Sequence, residues 1–244
     1  MNLKVKGFVI KETAVGESDK VLTVLAQGLG KIQAWARGSR RLKSPLMAAS
    51  QCFTYADFTL FKNKDTYSVN QAEIIAGNFE LRKNIETLAL ASYITELAGK
   101  VVQENAADDE ILKLTLNTLY LLGKGDRPAA LIKSVYELRL MMLSGFMPEL
   151  HDCVLCGGEI EKPLYFDSAA GGVVCESCRE KDGDAVSVSP SVYKALCRIM
   201  GEEGIFSFSL SDHALSELSV MAEAFVLMHT DFAFKTLDFY KTLC

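Results

Sequence analysis

The architecture of the N-terminal third can be read from Lys20-Val21-Leu22-Thr23-Val24-Leu25-Ala26-Gln27-Gly28-Leu29-Gly30-Lys31-Ile32-Gln33-Ala34-Trp35-Ala36-Arg37. Its first half is rich in β-branched and aliphatic residues, and its second half alternates around Ile32, Ala34 and Ala36. Such alternation is typical of a strand that buries one face. Because the glycine-containing turn Gln27–Gly30 joins the two halves, the stretch predicts a β-hairpin.

Three further segments around this hairpin also have the composition of strands: Lys4–Ile10, Cys52–Phe61 and Thr66–Ile75. Thr13–Ser18 is turn-like. Five short strands separated by turns predict a small barrel over residues 1–80, since closing a sheet removes its exposed edges. A five-stranded OB-type β-barrel fits the number of strands and the length, and an SH3-like barrel is the nearest alternative.

The hydrophobic period then changes from strand to helix. Apolar residues recur at helical spacing over 81–146, and Asp126, two residues before Pro128, has the position of a helix N-cap. Residues 147–188 are irregular, and a long helical pattern runs from about Asp212 to Leu243. The prediction is an α+β multidomain chain: a barrel over 1–80, a helical domain over 81–146 and 189–244, and a four-cysteine element over 147–188 inserted in it.

Composition excludes several classes of protein. The 244 residues are 49% hydrophobic and 23% charged, which is enough apolar side chain for a core and excludes a disordered chain. The sequence has no run of the ~18 apolar residues that a membrane span needs, and its first residues lack a secretory signal. The seven cysteines do not match a secreted disulfide scaffold. We therefore expect a cytoplasmic protein without a membrane partner.

The net charge of −5 is unevenly distributed. Residues 1–80 carry a net charge of +4, residues 81–150 a net charge of −1, and residues 151–244 a net charge of −8. A partner that carries phosphates is therefore expected to meet the N-terminal third. The alternative is that +4 over 80 residues is ordinary surface charge.

Four of the cysteines form two matched pairs. Cys153 and Cys156 make one C-x-x-C pair, Cys175 and Cys178 make the other, and 18 residues separate them. This spacing is typical of a four-thiolate Zn²⁺ site, in which each pair turns two sulfurs onto one ion. With no ligand position left for water, one structural Zn²⁺ is predicted, and Leu164–Phe166 with Gly172–Val174 is predicted to form a hairpin between the pairs. The alternatives are a dithiol redox site and four free structural cysteines.

The segment Arg37–Ser44, called the basic loop here, concentrates positive charge directly after the hairpin. Its cations are Arg37, Arg40, Arg41 and Lys43, and Lys31 and Trp35 lie on the strand before it. Guanidinium groups make bidentate contacts with phosphate, and the glycine and serines of the loop are expected to add backbone and hydroxyl donors. Six aromatic side chains are candidates either to stack on unpaired bases or to fill the barrel core. They are Trp35, Phe53, Tyr55, Phe58, Phe61 and Tyr67. The alternative for the loop is a solvated turn.

The sequence offers little support for an enzyme. It has no G-x-x-x-x-G-K-[ST], no G-x-G-x-x-G and no H-E-x-x-H motif. None of its three histidines, His151, His213 and His229, lies beside a plausible nucleophile in the sequence. We therefore expect no catalytic residues and no small-molecule substrate.

Taken together, these motifs resemble bacterial RecO recombination-mediator proteins over the whole chain. The resemblance is carried by Lys6–Lys11, Glu17–Lys20, Gly30-Lys31, Arg37–Arg41 and the two cysteine pairs with Gly171-Gly172 between them. It implies an N-terminal OB-fold, a helical domain and a zinc element. It also implies that Arg37, Arg40, Arg41 and Lys43 contact DNA and that the four cysteines bind Zn²⁺.

The resemblance further implies the partners of the protein. These are single- and double-stranded DNA, RecR, and the C-terminal tail of single-stranded DNA-binding protein, with annealing of complementary strands, RecA loading and association with the nucleoid. On that basis a groove in the helices around 81–145 is expected to receive the acidic tail, bordered by a cation such as Arg127, Lys133 or Arg139. The rival functions are a zinc-ribbon transcription or translation accessory protein and, less favoured, a dithiol redox enzyme.

Overall fold

A computed structural model of the chain describes residues 1–64, 66–160, 165–180, 184–201 and 204–244. Contacts between Cα atoms divide the chain into two compact units. The first unit is Met1–Asp126 with Phe234–Cys244, and the second unit is Arg127–Ala233. The four-part division predicted from the sequence stays a prediction.

The first unit contains a closed five-stranded barrel. Its strands are β1 (Asn2–Val15), β2 (Asp19–Ala26), β3 (Gly30–Ala36), β4 (Tyr55–Asn63) and β5 (Thr66–Ala76). Their order around the barrel is β1-β2-β3-β5-β4, with β3 parallel to β5 and β4 closing onto β1. This is the connectivity of an OB-fold, so the predicted OB-type barrel is confirmed.

β1 is long because it serves two partners. Its first half pairs with β4, its second half pairs with β2, and the register shifts at a bulge between Val9 and Lys11. The strand continues to Val15, so the turn-like interpretation of Thr13–Ser18 is wrong for its first three residues. Gly7 lies where the two pairings meet, and a Cβ there would stand 2.5 Å from Cγ1 of Val24 inside the barrel.

Helices complete the first unit. A 3-10 turn (Phe79–Arg82) precedes α1 (Ile85–Val101) and α2 (Asp109–Lys124). α2 is capped by the Asp108 carboxylate at its N-terminus and by the left-handed Gly125 at its C-terminus, as local sequence signals indicate.

The second unit is built on three longer helices: α3 (Ala129–Leu143), α5 (Pro190–Met200) and α6 (Asp212–His229). The predicted cap at Asp126 is wrong, because α3 begins after Pro128, which occupies the N-cap position without a side-chain hydrogen bond. The continuous helix predicted over 212–243 is also wrong. α6 ends at His229, and Asp231 has a positive φ of 39° that an α-helix does not accommodate. A separate helix, α7 (Lys235–Lys241), then packs on α1 in the first unit.

A small sheet accompanies these helices in the second unit. Its strands β6 (Tyr165–Asp167), β7 (Gly172–Val174) and β8 (Val186–Ser187) are ordered β7-β6-β8, and the four-residue helix α4 (Glu176–Arg179) follows β7. The predicted hairpin is present as β6 and β7, while its first residue, Leu164, lies outside the described residues. In the part of the chain that the structure describes, no helix is both long and apolar enough to cross a membrane.

Candidate metal centre and nucleic-acid interface

The two cysteine pairs converge on one point of the second unit. The sulfurs of Cys153, Cys156, Cys175 and Cys178 all lie within 4.8 Å of one another, and no other group of potential metal ligands was found among the described residues. The sulfurs of Cys156 and Cys175 are 3.9 Å apart. A tetrahedral Zn²⁺ with ~2.3 Å bonds to sulfur needs sulfurs about 3.8 Å apart, so the arrangement fits such an ion.

Local backbone geometry aims the sulfurs inward. The first pair is closed by a tight turn in which Gly157 donates to the carbonyl of Cys153 at 2.8 Å, with φ of 69° at Gly157. The N–H of Cys175 donates to the sulfur of Cys153 at 3.4 Å, linking the two pairs. The hairpin between them holds its own turn, because the carboxylate of Asp167 accepts the N–H groups of Ala169 and Ala170.

Two of the four closely approaching thiols have pKa values shifted in opposite directions. The Ser177 hydroxyl, followed by the N–H of Cys178, lowers the pKa of Cys175 to about 6. Contact with the sulfur of Cys175 raises the pKa of Cys178 to about 12. Four sulfurs this close cannot all ionise without a neighbouring positive charge, and a divalent cation supplies that charge. The donor set is therefore suited to a metal ion with thiolate ligands.

The basic loop lies in the first unit and begins a run of turns between β3 and β4. Arg37, Arg40, Arg41 and Lys43 are all exposed, and so is the apolar Leu42 between the last two cations. Below them, Leu46 is buried in the barrel core. The sequence therefore brings the four predicted cations onto one exposed segment that is held to the barrel by an apolar side chain.

Two donors expected from this loop are not free to bind phosphate. The N–H of Gly38 donates to the carboxylate of Asp19 at 2.7 Å, and Ser39 is fully buried. The expectation that the glycine and both serines contribute donors is therefore wrong at these two positions. The charged groups that the loop exposes are the guanidinium and ammonium groups of its four cations.

The turn between β1 and β2 holds the basic loop in place. Besides the contact from Asp19 to Gly38, the carbonyl of Ser18 accepts the N–H of Arg40 at 2.9 Å, and the carbonyl of Gly16 accepts its guanidinium at 2.9 Å. The N–H of Gly38 and then the Ser18 hydroxyl lower the pKa of Asp19. Asp19 is thus a positioning residue that the sequence analysis did not assign, although it stands in the quoted segment Glu17–Lys20.

The strand before the loop separates the two other predicted contacts. Trp35 is 38% exposed on the outer face of β3, while Ile32, Ala34 and Ala36 point into the core. Lys31 is half-buried at the opposite end of β3, where its ammonium donates to the carbonyl of Gly99 in α1 at 2.7 Å. The structure therefore places Trp35, but not Lys31, beside the loop.

The remaining aromatic candidates divide between core and surface. Phe53, Phe58 and Tyr67 are buried, Tyr55 is half-buried, and Phe61 is 43% exposed. The core alternative is therefore correct for Phe58 and Tyr67, which belong to the barrel core, whereas Phe53 is buried outside that cluster. Trp35 and Phe61 are the two of the six that present exposed rings.

Two of the three cations expected to border a partner groove have structural contacts in the second unit. Lys133 is 3% exposed and pairs with Glu137 and Glu223, so its prediction as a groove cation is wrong. Arg139 donates to the carbonyls of Ile199, Met200 and Gly201 at the end of α5. The shortest of these contacts, 2.7 Å, is to Gly201. Arg127 is half-buried.

Comparison with known families accounts for nearly the whole chain. The family model described as Recombination protein O N terminal matches residues 1–78, and the model described as Recombination protein O C terminal matches residues 82–238. This chain belongs to the RecO family. The resemblance inferred from its motifs is thereby confirmed.

Individual RecO relatives match this chain over nearly their full length. The DNA repair protein RecO of Acetivibrio thermocellus is 36% identical over 243 residues, covering 99% of this chain and 97% of the relative. That of Alkaliphilus metalliredigens is 31% identical over 246 residues and 100% of both chains. That of Caldicellulosiruptor saccharolyticus is 30% identical over 239 residues and 98% of both chains. RecO membership supports a role for this chain in DNA repair and recombination.

Proposed function

We propose that this RecO-family chain is a recombination mediator that works by binding rather than by chemistry. It binds single- and double-stranded DNA through the basic loop, anneals complementary strands, and acts with RecR to load RecA on DNA coated with single-stranded DNA-binding protein. The observation that carries the DNA contact is the exposed row of Arg37, Arg40, Arg41 and Lys43 on a segment held to an OB-type barrel. Such cations suit phosphates whatever the base sequence.

A salt series tests this DNA contact. Each phosphate neutralised contributes roughly 0.7 to the slope of log affinity against log salt for single strands and roughly 0.9 for duplex. The double change Arg40→Ala with Arg41→Ala should weaken binding to all sequences alike and flatten the single-strand slope by about 1.4. As a matched control, the exposed pair Lys113 and Lys124 on α2 is changed to Ala. A folded loop variant that keeps the parent's affinity and slope shows that the loop is only a solvated turn.

We propose in addition that Lys31 contributes to DNA binding. Its ammonium has to leave the carbonyl of Gly99 to do so. Changing Lys31 to Ala should then reduce the salt slope by about one phosphate's contribution, roughly 0.7 for single strands. An unchanged slope together with a lower melting temperature assigns Lys31 to the packing of α1 instead.

We propose that the four-cysteine cluster holds one structural Zn²⁺ per chain. All four ligands are thiolates, so the ion would supply cross-linking between the two pairs and would leave no position for substrate. Metal analysis of the purified protein should give one zinc per chain, with four thiols released together on chelation. Well under one metal per chain, with all four thiols reduced and reactive, is the contrary result and would leave the dithiol alternative.

The protein partners are tested separately from DNA. We expect the protein to bind, saturably, an acidic peptide with the sequence of the C-terminal tail of single-stranded DNA-binding protein. Arg127 is the candidate cation at the border of the groove that receives this peptide. We also expect co-elution with RecR and annealing of strands coated with single-stranded DNA-binding protein. A zinc-ribbon transcription or translation accessory protein would bind nucleic acid without that annealing, so the annealing assay discriminates between the two functions.

A further inference from the structure

Two exposed aromatic rings stand in one row across three neighbouring strands of the barrel. Ser68 of β5 is in register with Trp35 of β3 on one side and with Phe61 of β4 on the other. All three side chains are on the outer face, because the residues flanking them along each strand, Ala34 and Ala36, Leu60, Tyr67 and Val69, are in the core. The row is therefore aromatic, small, aromatic.

The distance between the outer strands of this row is large enough to hold a nucleobase between the two rings. Neighbouring strands lie ~4.8 Å apart, so the Cα atoms of Trp35 and Phe61 are about 10 Å apart with Ser68 between them. A base stacked on both sides needs about 7 Å, twice the ~3.4 Å step between stacked bases. Side chains stand roughly perpendicular to a sheet, so the small Ser68 leaves the space between the rings open. Among the described residues, neither Trp35 nor Phe61 stacks on another aromatic ring.

The row lies in a groove of about 1110 Å³. This exceeds the ~300–1,000 Å³ of a typical small-ligand cleft, so it has room for a nucleotide and its neighbours. The described charged residues of its lining are Arg37, from the basic loop, and Asp19, whose carboxylate is already bonded to Gly38. The other polar groups of the lining are uncharged amides and hydroxyls, namely those of Ser44, Asn63, Thr66, Ser68 and Asn70.

These features favour an unpaired base over an apolar protein segment as the occupant. Amides and hydroxyls offer hydrogen bonds to the edges of a base, and Arg37 stands two residues beyond Trp35, where the phosphate beside a stacked base would need a cation. A paired base cannot enter the row, because its edge is occupied and its faces are covered by its own neighbours. We propose that Trp35 and Phe61 clamp one unpaired base over Ser68 and thereby add a contact that single strands make and duplex does not. This inference rests on the proposed DNA binding through the basic loop and assigns a separate role to the groove.

The decisive probe compares oligonucleotides that differ only in their bases. A 20-nucleotide oligo-dT and an abasic oligomer of the same length carry the same phosphates, so loop contacts are equal and only the base contacts differ. The wild-type protein should bind oligo-dT about 5- to 150-fold more tightly than the abasic oligomer, the range expected for stacking of one base. Phe61→Ala and Ser68→Ile, the second of which fills the space and keeps both rings, should bring the two affinities together. Both should leave duplex affinity within about twofold of the parent.

The chain supplies its own optical reporter, because Trp35 is its only tryptophan. Oligo-dT should quench its emission at saturation, while the abasic oligomer and duplex should not. Trp35→Phe should keep most of the preference for oligo-dT over the abasic oligomer, and Trp35→Ala should lose that preference while the loop still binds both oligomers. Phe79→Ala, which removes an exposed ring outside the groove, is the matched control and should behave like the parent. Circular dichroism and the melting temperature check that each variant folds.

The outcomes separate this inference from the proposed function. If the wild-type protein bound none of these DNA probes, both the clamp and the proposed DNA binding through the basic loop would be overturned. Tight oligo-dT binding with unchanged Trp35 emission and no preference over the abasic oligomer would overturn the clamp and leave the loop as the DNA contact. Equal weakening of single-strand and duplex binding by Phe61→Ala would also overturn it, since the groove would then serve the backbone alone. A protein partner whose binding is lost in both Phe61→Ala and Ser68→Ile, while oligo-dT binding is unchanged in both, would assign the groove to that partner and overturn the clamp.

Discussion

Asp19 shows how a single side chain can decide whether charges on a loop act together. Its carboxylate accepts the N–H of Gly38, and this contact holds the pKa of Asp19 below its ordinary value, with the Ser18 hydroxyl as a second cause. A lowered pKa means that the contact is present above the ordinary value of 3.8 and is lost as the pH falls through the lowered one. We expect exchange of the Gly38 amide hydrogen, followed by NMR, to stay slow through the range in which an ordinary aspartate protonates and to accelerate only at lower pH.

Substitution at Asp19 tests the same contact at neutral pH. Asp19→Ala should accelerate amide exchange over Arg37–Ser44, because it leaves the N–H of Gly38 without its acceptor. Asp19→Asn keeps an oxygen acceptor and removes only the charge, so it should protect the loop better than Asp19→Ala does. Equal exchange in both variants and the parent would show that the loop is held by the Arg40 contacts alone.

Lys133 is a second residue whose role depends on burial. It lies between the carboxylates of Glu137 and Glu223 at 2.8 and 3.0 Å. Burial on its own would lower the pKa of Lys133, but the two carboxylates raise it above its ordinary value. Its contribution to stability is therefore present below the unfolded pKa, near 10.4, and is lost as the pH rises through the raised value.

Removing this cation should be costly because Glu137 is fully buried. We expect Lys133→Met to destabilise the protein by about 3–5 kcal/mol, the usual cost of removing one partner of a buried ion pair. Adding Glu137→Leu to Lys133→Met should restore much of that loss, since it also removes the fully buried carboxylate and keeps only Glu223, which is partly exposed. Denaturant unfolding of the single and double variants measures both values. A double variant that is less stable than Lys133→Met would show that Glu137 has a further structural role.

Helices and strands were predictable where their signals are local. The caps of α2 and α5 follow from Asp108 and from Ser189-Pro190, and the alternation of β3 already implies that Trp35 faces outward, although the sequence analysis left it between core and surface. The break after α6 was not predictable, because it follows from a positive φ at Asp231 in an otherwise helical pattern. The pairing of Lys133 with Glu223 and the contacts of Arg139 depend on residues 60 to 90 positions away in the sequence, which periodicity does not reveal.

The four-cysteine element, called the metal element here, should depend on the proposed Zn²⁺ for its fold more than the longer helices depend on it. Its strands have two or three residues each, and its apolar cluster is small: Cys153, Val174 and Ala185 are its buried members. So little buried surface cannot stabilise a fold, whereas structural Zn²⁺ can supply ~10–16 kcal/mol of apparent binding free energy. We expect Cys175→Ser to lose the metal and to expose 147–160 and 165–180 to hydrogen exchange. Cys197→Ser, an exposed cysteine outside the cluster, is the control; equal exchange in both variants would contradict a structural metal.

The proposed DNA contact and the proposed metal site lie in different compact units of the chain. The basic loop and the barrel belong to the first compact unit, and the four cysteines belong to the second. The last 94 residues, from 151 onward, carry a net charge of −8, which opposes contact with phosphates there. The first unit is thus the expected site of DNA binding, and its barrel core does not include any of the four metal ligands.

Chelation tests whether this division is functional. Because the barrel has its own closed sheet and core, metal removal should leave its amide protection unchanged, and the affinity for oligo-dT should stay within about twofold, as for sites that share no partners. Exchange should increase only in the second unit, and first over 147–160 and 165–180. Oligo-dT binding and exchange are measured on the same chelated sample, with a zinc-restored sample as control. If chelation abolished DNA binding while the barrel stayed protected, the metal element itself would have to contact DNA, and the acidic third would have to be part of the footprint.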